Sequence, residues 1–526
     1  MPSGPGEDGG TAPTRRSGRR ALRGLLRHAG FLVLLLLGAA VRGLAVHAYV
    51  PAFFFPDSAD YLKVANSGAA DVHRTWGYSG FLAVLERLVT FGQVVVVQHL
   101  LGLLTAVLVY ALLQRRGVRR SVSCLAAAPL LLDGYIVQIE HYVMAESLYI
   151  LLLAVAIVLL LWQDRLSWWA AAAAGVVLGL GMVTRTVGGV VIAVALVYLL
   201  VRLVGRTVRW FSVPAMMAGV GLVTLPYVLW VHSSTGVYGL SDYTGHFLYG
   251  RVASFADCER SDVPFRLRGL CPSEPVGERP NADFYVWSPD SPASSGRYTE
   301  DDLQEFAERI LAGQPWEFVT STTGRTLDYF LPGRTAGLDD SCLRYWWFPD
   351  SDTYEEVGPL DCPAQLARQG FALEPVRPVW DPAAADVLAR YQEWVRTPDA
   401  VLGVLALAGL SGLVARRRGN GWRDRVDGAF CVTVGVALVA LPSATAVYDH
   451  RYALPLLVVL PIGAALATRQ WLTAGPAVES PSAGPPGPDR STGLPSKVSD
   501  TAAQDAVPPA EGGRSAPRVC APASAG

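Results

Sequence analysis

Segment after segment of this chain reaches the roughly 20 apolar residues needed to cross a hydrocarbon core about 30 Å thick. No water is present at that depth to satisfy the backbone, so lipid-crossing segments of this length must be helices. Ten such spans are read, at about 29–48, 92–113, 121–138, 143–162, 167–184, 187–204, 210–231, 399–415, 427–446 and 452–471. The expected fold is therefore an all-α polytopic membrane protein. The first span is not followed by a small-residue cleavage site, so it is read as a retained helix rather than a signal peptide.

Bulk charge says little: with 17% charged residues and a net charge of -1, nothing favours nucleic acid or a strongly acidic partner. The position of arginine says more, because basic connections stay cytoplasmic. With "RRSGRRALRGLLR" inside, the connections "QRRGVRR" (114–120), "RLVGRTVR" (202–209) and "RRRGNGWRDR" (416–425) all fall inside as well. Both termini are then cytoplasmic. The loop 49–91, the turns near 138–142, 185 and 447–451, and the polar segment 232–398 lie outside.

Residues 1–25 and 474–526 are rich in Pro, Gly, Ser and Ala and are expected to be disordered cytoplasmic tails. Between them lie a transmembrane core (26–231), an extracytoplasmic α-rich domain (232–398) and C-terminal transmembrane helices (399–473). Within the domain, "TEDDLQEFAERILAG" (299–313) has a Thr cap, an acidic first turn and a closing Gly, and is expected to be an amphipathic helix. A second helix is expected from Pro315, and a third through "AADVLARYQEWVR". Four of the seven cysteines, Cys258, Cys271, Cys342 and Cys362, lie in this segment. An oxidising compartment permits disulfides there, and neighbours are the favoured pairs: Cys258 with Cys271 and Cys342 with Cys362. The alternative is four free or otherwise paired thiols.

The stretch "FFFPDSADYLKVANSG" (53–68) places acidic side chains directly after three phenylalanines. Pro56-Asp57-Ser58 is a good helix start, with Asp57 or Ser58 as the cap. A cap needs one such residue. Asp57, Ser58 and Asp60 together at a membrane boundary suggest a second role.

Around this stretch the chain resembles the GT-C superfamily of polyprenyl-phosphate-dependent glycosyltransferases, especially the bacterial branch related to protein O-mannosyltransferases and lipid A aminoarabinose transferases. The resemblance runs through "PDSADYLKVA", "HRTWGYSGFLAVL" (73–85), "QHLLGLLTAVLVYALLQRRG", "EHYVMAESLYILLL" (140–153), "VTRTVGG" (183–189) and "YDHRYALPLL" (448–457), in that order. It implies a GT-C-like bundle of about ten transmembrane helices with a large outer-face loop domain. It also implies that Asp57 is the catalytic carboxylate in the first outer loop, with Ser58 where the family often has Glu. Asp60 competes with Asp57 for the role of base. There is no strict Asp-x-Asp, and dependence on a divalent metal stays open.

Such a transfer would take a sugar from a polyprenyl-phosphate donor to a hydroxyl on an extracytoplasmic protein, glycan or lipid, with inversion at the sugar carbon. The base must stand at the depth of the donor phosphate, and burial beside Phe53, Phe54 and Phe55 is expected to raise the Asp57 pKa into a useful range. Arginine is the natural partner for the departing phosphate, and Arg74, Arg185, Arg251 and Arg451 are the candidates. The resemblance suggests that Glu146 lines the sugar pocket, against the alternative of a salt bridge to an arginine such as Arg185. His141 is an interfacial candidate, and Trp76 and Tyr78 are candidates for stacking on a sugar. Trp346 and Trp347 read better as packing or interface residues. The competing functional readings are a transporter or flippase for a lipid-linked or polar substrate, and a non-catalytic scaffold of the same fold. Transporters tend to place broken, charged helices at the midplane of paired halves, and the uneven order of seven spans, a domain and three spans does not follow that pattern.

Overall fold

The computed structural model describes residues 26–71, 73–332, 346–350, 379–415, 421–446 and 448–473. Its first helix, α1 (Ala29–Ala48), coincides with the first expected span. A two-residue strand β1 (Tyr49–Val50) and two short helices, α2 (Pro56–Ser67) and α3 (Trp76–Leu85), lead into α4 (Phe91–Arg115). The chain continues through α5 (Arg120–Leu132), α6 (Gly134–Ile139), α7 (Glu146–Leu161), α8 (Trp168–Thr184), α9 (Gly188–Val204) and α10 (Ser212–Thr235). A polar helical segment follows, with α11 (Thr244–Ala253), α12 (Ala282–Trp287), α13 (Glu300–Gly313) and α14 (Pro315–Asp328). Strand β2 (Val379–Trp380) pairs antiparallel with β1, Tyr49 opposite Trp380, and tethers the segment before α15 (Pro382–Trp394) to the end of α1. The last helices are α16 (Asp399–Ser411), α17 (Trp422–Thr445) and α18 (Leu456–Thr473), the last preceded by a 3-10 turn over His450–Ala453.

The all-α polytopic reading holds, with two differences in detail. Five helices, α1, α4, α10, α17 and α18 with its preceding turn, are long and apolar enough to cross a membrane by length and composition. At the other five expected positions the helices run only 13 to 17 residues, or about 20–25 Å at 1.5 Å per residue. The expected span 121–138 is two helices, because the Asp133 carboxylate accepts the N–H groups of Tyr135 (2.9 Å) and Ile136 (3.3 Å) and so caps a new start.

The main apolar core joins residues from α1, α4, α5, α7, α8, α9, α17 and α18, with α18 the most enclosed of the spanning-length helices. A buried polar chain runs through it. Arg42 donates to both Glu140 oxygens at 2.8 Å, Glu140 meets His99 at 2.9 Å, and His99 meets His141 at 3.2 Å. Such groups persist in an apolar bundle only when each is paired. Gly102 makes room for it, since a Cβ there would lie 1.8 Å from a Glu140 oxygen.

The segment 244–310 has a second core of its own around Tyr249, Leu267, Tyr285 and Phe306. Helix α13 forms as its sequence dictates: Thr299 caps it, and Leu303, Phe306, Ala307 and Ile310 are buried. Cys258 and Cys271 form a disulfide, as expected. Cys342 and Cys362 lie outside the described residues, as do both expected tails.

Candidate active site

Ser58, not Asp57, completes the start of α2: its hydroxyl accepts the Phe55 N–H at 3.0 Å, and Pro56 supplies the fixed first turn. The adjacent Asp57 carboxylate is thereby left for long-range partners. Arg74 Nη2 donates to Asp57 Oδ1 at 2.5 Å, and Arg451 Nη1 donates to Asp57 Oδ2 at 3.1 Å. Arg451 Nη1 also lies 3.6 Å from Glu146 Oε1, which is bonded to Arg185 as well. For Glu146 the alternative reading, a salt bridge to Arg185, is thus the one present. Asp57, Arg74, Arg185 and Arg451 all line one cavity of about 310 Å³.

Several elements hold these groups in place. Thr75 Oγ1 donates to the Thr184 carbonyl at 3.1 Å, binding the Arg74 loop to the end of α8 where Arg185 sits. Gly77 permits that approach, since a Cβ there would come within 2.5 Å of the Val183 carbonyl oxygen. The Arg451 guanidinium lies over the rings of Phe55 (4.9 Å), Trp346 (5.5 Å) and Tyr452 (5.5 Å). A planar cation in such aromatic surroundings keeps its orientation.

Burial pushes the Asp57 pKa up, but Arg74, Arg451 and Arg185 more than offset it and hold the carboxyl below the ordinary value. This corrects the expectation of a raised pKa. The phenylalanines do bury the group, with Phe53, Phe54 and Phe55 all enclosed, yet they bring cations with them. Asp60 behaves oppositely: burial raises its pKa, helped by Asp71 and Asp57 and only partly countered by Arg74. It stands 3.5 Å from Arg74 Nε and outside the cavity lining.

Five expected contact residues lie away from the cavity lining, among them Glu146, which sits behind Arg185 and Arg451. Arg251 is fully enclosed and donates to the Ser443 carbonyl (2.7 Å) and to Ser321 Oγ (2.6 Å), a structural clamp between α11, α14 and α17. Tyr78 is buried with its hydroxyl on Gln98 Oε1 at 2.6 Å. His141 belongs to the buried polar chain and meets the Tyr49 carbonyl at 2.7 Å. Trp76 packs its indole against Trp230.

Two residues passed over in the sequence complete the site. Asp449 lies 2.6 Å from Arg451 Nε and accepts the Arg451 N–H at 3.0 Å, so it sets the arginine's approach. Its place two residues before Arg451 was the available signal. His73 lines the cavity beside Arg74; its hydrogen bond with Asp71 raises its pKa despite partial burial. Among the described residues no three His, Cys, Asp or Glu come together as a metal-ligand group. Both Asp57 oxygens are already held by arginine, so this donor set does not fit a divalent cation.

Comparison with known protein families covers part of this bundle, and of Asp57, Arg74, Arg185 and Arg451 only Arg185 lies within it. Residues 88–235 match the family model described as "Dolichyl-phosphate-mannose-protein mannosyltransferase". Over that stretch the likeness is to this mannosyltransferase family. No curated protein matches the chain. Solved structures that match include the S. cerevisiae protein O-mannosyltransferase Pmt1-Pmt2 complex bound to its sugar donor. Against it the identity is 16%, the match covers 47% of this chain and 37% of that one, and the TM-score is 0.32. Another is the archaeal oligosaccharyltransferase AglB from Archaeoglobus fulgidus, in complex with an inhibitory peptide and a dolichol-phosphate. There the identity is 12%, the coverage 84% and 50%, and the TM-score 0.39. The chain thus spans half or less of the length of these two solved chains.

Proposed function

We propose that this chain is an integral-membrane glycosyltransferase that moves a sugar from a polyprenyl-phosphate donor to an acceptor hydroxyl at the outer face of the membrane, with inversion. The observation that carries the reading is the Asp57 carboxylate, bridged between Arg74 and Arg451 on the wall of a cavity that Arg185 also lines. The arginine-based orientation of the spans supports an extracytoplasmic position for it, and the mannosyltransferase family match over 88–235 supports a lipid-phosphate donor.

In this mechanism the donor phosphate enters among Arg74, Arg185 and Arg451 and competes with Asp57 for their donors. Arginine's fixed fork suits phosphate oxygens, and fixed cations stabilise charge developing on the leaving group. As the guanidinium groups turn to the phosphate, the restraint that keeps the Asp57 carboxyl weakly basic is relieved. Asp57 then takes the proton from the acceptor hydroxyl. The acceptor oxygen bonds to the anomeric carbon from the side opposite the phosphate, and the bond from that carbon to the phosphate oxygen breaks. Its electron pair leaves with polyprenyl phosphate as a stable anion. Asp60 serves to position Arg74, and Glu146 and Asp449 position Arg185 and Arg451.

The test uses the full chain in proteoliposomes with a panel of polyprenyl-phosphate sugars and hydroxyl acceptors, followed by analysis of the product's anomeric configuration. Wild type is expected to transfer one sugar with inversion, and Asp57→Asn to lose ~10²–10⁴-fold in rate while inserting normally. Full activity of Asp57→Asn, or retention at the anomeric carbon, would contradict the mechanism.

A further inference from the structure

A second cavity lies at the other end of the bundle. Helix α17 spans the distance: Asp424 near its start lines this cavity, and Leu441 near its end lines the Asp57 cavity. Seventeen residues of helix separate them, or about 25 Å. The second cavity has a volume of about 650 Å³ and draws its lining from the ends of α4, α7, α9, α17 and α18.

Its charge is one-sided. Six arginines line it, Arg115, Arg116, Arg165, Arg206, Arg423 and Arg469, against two acids, Asp164 and Asp424. Both acids are already engaged. Asp424 holds Arg116 at 2.6 Å and Arg469 at 3.0 Å, while Asp164 pairs with Arg423. Behind them, the buried Asp427 takes Arg116 at 2.6 Å and the Tyr198 hydroxyl at 2.8 Å. The side chains of Arg115, Arg165 and Arg206 have no ion-pair or hydrogen-bond partner among the described residues. They come from three different connections and face one cavity. Arg206 is presented there in the left-handed backbone region, with φ of 53°, which a residue with a Cβ seldom adopts.

The ion pairs beneath act as a fixed floor. Arg116 is shared by Asp424 and Asp427, and Arg423 is held by Asp164 and the Leu161 and Gln163 carbonyls, so these acids are engaged without the three outer arginines. An isolated arginine at a membrane edge is explained by snorkelling. Three exposed arginines from separate connections line one polar cavity above a layer of paired acids, and together they offer several donors to an anion with several oxygens. Guanidinium forks match phosphate geometry better than that of any monovalent inorganic ion.

We propose that this cavity binds a phosphate-bearing anion, through Arg115, Arg165 and Arg206. The same chemistry is offered by an anionic lipid headgroup and by a soluble phosphate ester, and two arms separate them. In the first, the full chain in detergent is titrated with inorganic pyrophosphate at constant ionic strength, with chloride as control. In the second, it is placed in nanodiscs of phosphatidylcholine with or without phosphatidylglycerol, and retained lipid is measured by native mass spectrometry. Binding in the first arm alone assigns a soluble phosphate, and selective retention of phosphatidylglycerol assigns a headgroup. In both, Arg165→Gln with Arg206→Gln is expected to weaken binding by about tenfold or more, and Arg87→Gln, an exposed residue elsewhere, to leave it unchanged. Should the double variant not fold, Arg115→Gln gives the same reading. No binding above the chloride and phosphatidylcholine controls, or equal binding by wild type and variants, would overturn the proposal. None of these outcomes depends on transferase activity.

Discussion

Arg451 Nη1 and Asp57 Oδ2 lie 3.1 Å apart although 394 positions separate them in the chain. The contact joins the start of α2, near the N-terminus, to the turn before the last helix. An ion pair drawn from such distant segments and lining a cavity is costly to desolvate unless its geometry is tight and its remaining donors are used. Arg74, Asp449 and Glu146 supply that tightness.

Neutralising the arginines should separate binding from chemistry. Arg185→Gln is expected to raise the donor KM with a smaller change in kcat, because its charge meets the phosphate at the cavity wall. Arg451→Gln is expected to lower kcat/KM by about 10²–10³-fold, since it contacts both the phosphate site and Asp57. Steady-state kinetics with purified variants checks both; equal effects on kcat alone would place the phosphate elsewhere.

Donor binding should weaken as pH rises through the His73 pKa. That pKa is raised above 6.5 by the hydrogen bond to Asp71, with Asp60 adding to the shift and burial and Arg74 opposing it. A raised imidazole pKa means that the charged form, and the stability it contributes, is fully present below the unfolded value and lost as pH climbs through the folded one. The cavity therefore loses a positive charge as pH rises through a value above 6.5. His73→Gln is expected to flatten this limb of the KM profile, and an unchanged profile would remove His73 from the site.

The buried chain from Arg42 to His141 should behave as structure rather than as chemistry. Glu140→Gln leaves the Arg42 charge without its bidentate partner in a dry setting and is expected to destabilise the fold by about 3–5 kcal/mol. Gly102→Ala is expected to act in the same direction by displacing Glu140. Thermal unfolding in detergent reads both, and the surviving folded fraction should retain its donor KM.

The disulfide between Cys258 and Cys271 closes a short loop, with a sequence separation of 13. Its removal by Cys258→Ser is expected to cost roughly 3 kcal/mol in the segment 244–310, which has its own core. Peptide mass spectrometry after alkylation without reductant should find both residues unlabelled; labelling of either would show the bond to be absent.

The parts of the site visible in the sequence were those tied to topology. Arg185 and Arg451 sit at span ends and Asp57 and Arg74 in the first outer loop, so the expected topology put all four on one face. Arg251 carried the same signal and misled, because its partners, the Ser443 carbonyl and Ser321, are 192 and 70 positions away. Asp133-Gly134 was a local signal left unread: an aspartate before glycine inside an apolar run can cap a new helix, and its bonds to Tyr135 and Ile136 do so. The direction of the Asp57 pKa was unreadable for the reason that held for Arg251. Three phenylalanines are adjacent in sequence, whereas the opposing arginines come from elsewhere in the chain.

The most direct test compares lipid-linked sugars and surface glycans in three strains: a deletion of this gene, the deletion restored with wild type, and the deletion restored with Asp57→Asn. The deletion is expected to lose one glycan and accumulate one polyprenyl-phosphate sugar, wild type to reverse both, and Asp57→Asn to reverse neither although the protein reaches the membrane. Full restoration by Asp57→Asn would contradict the mechanism, leaving the aspartate a structural ion-pair partner and the transferase reading without its base.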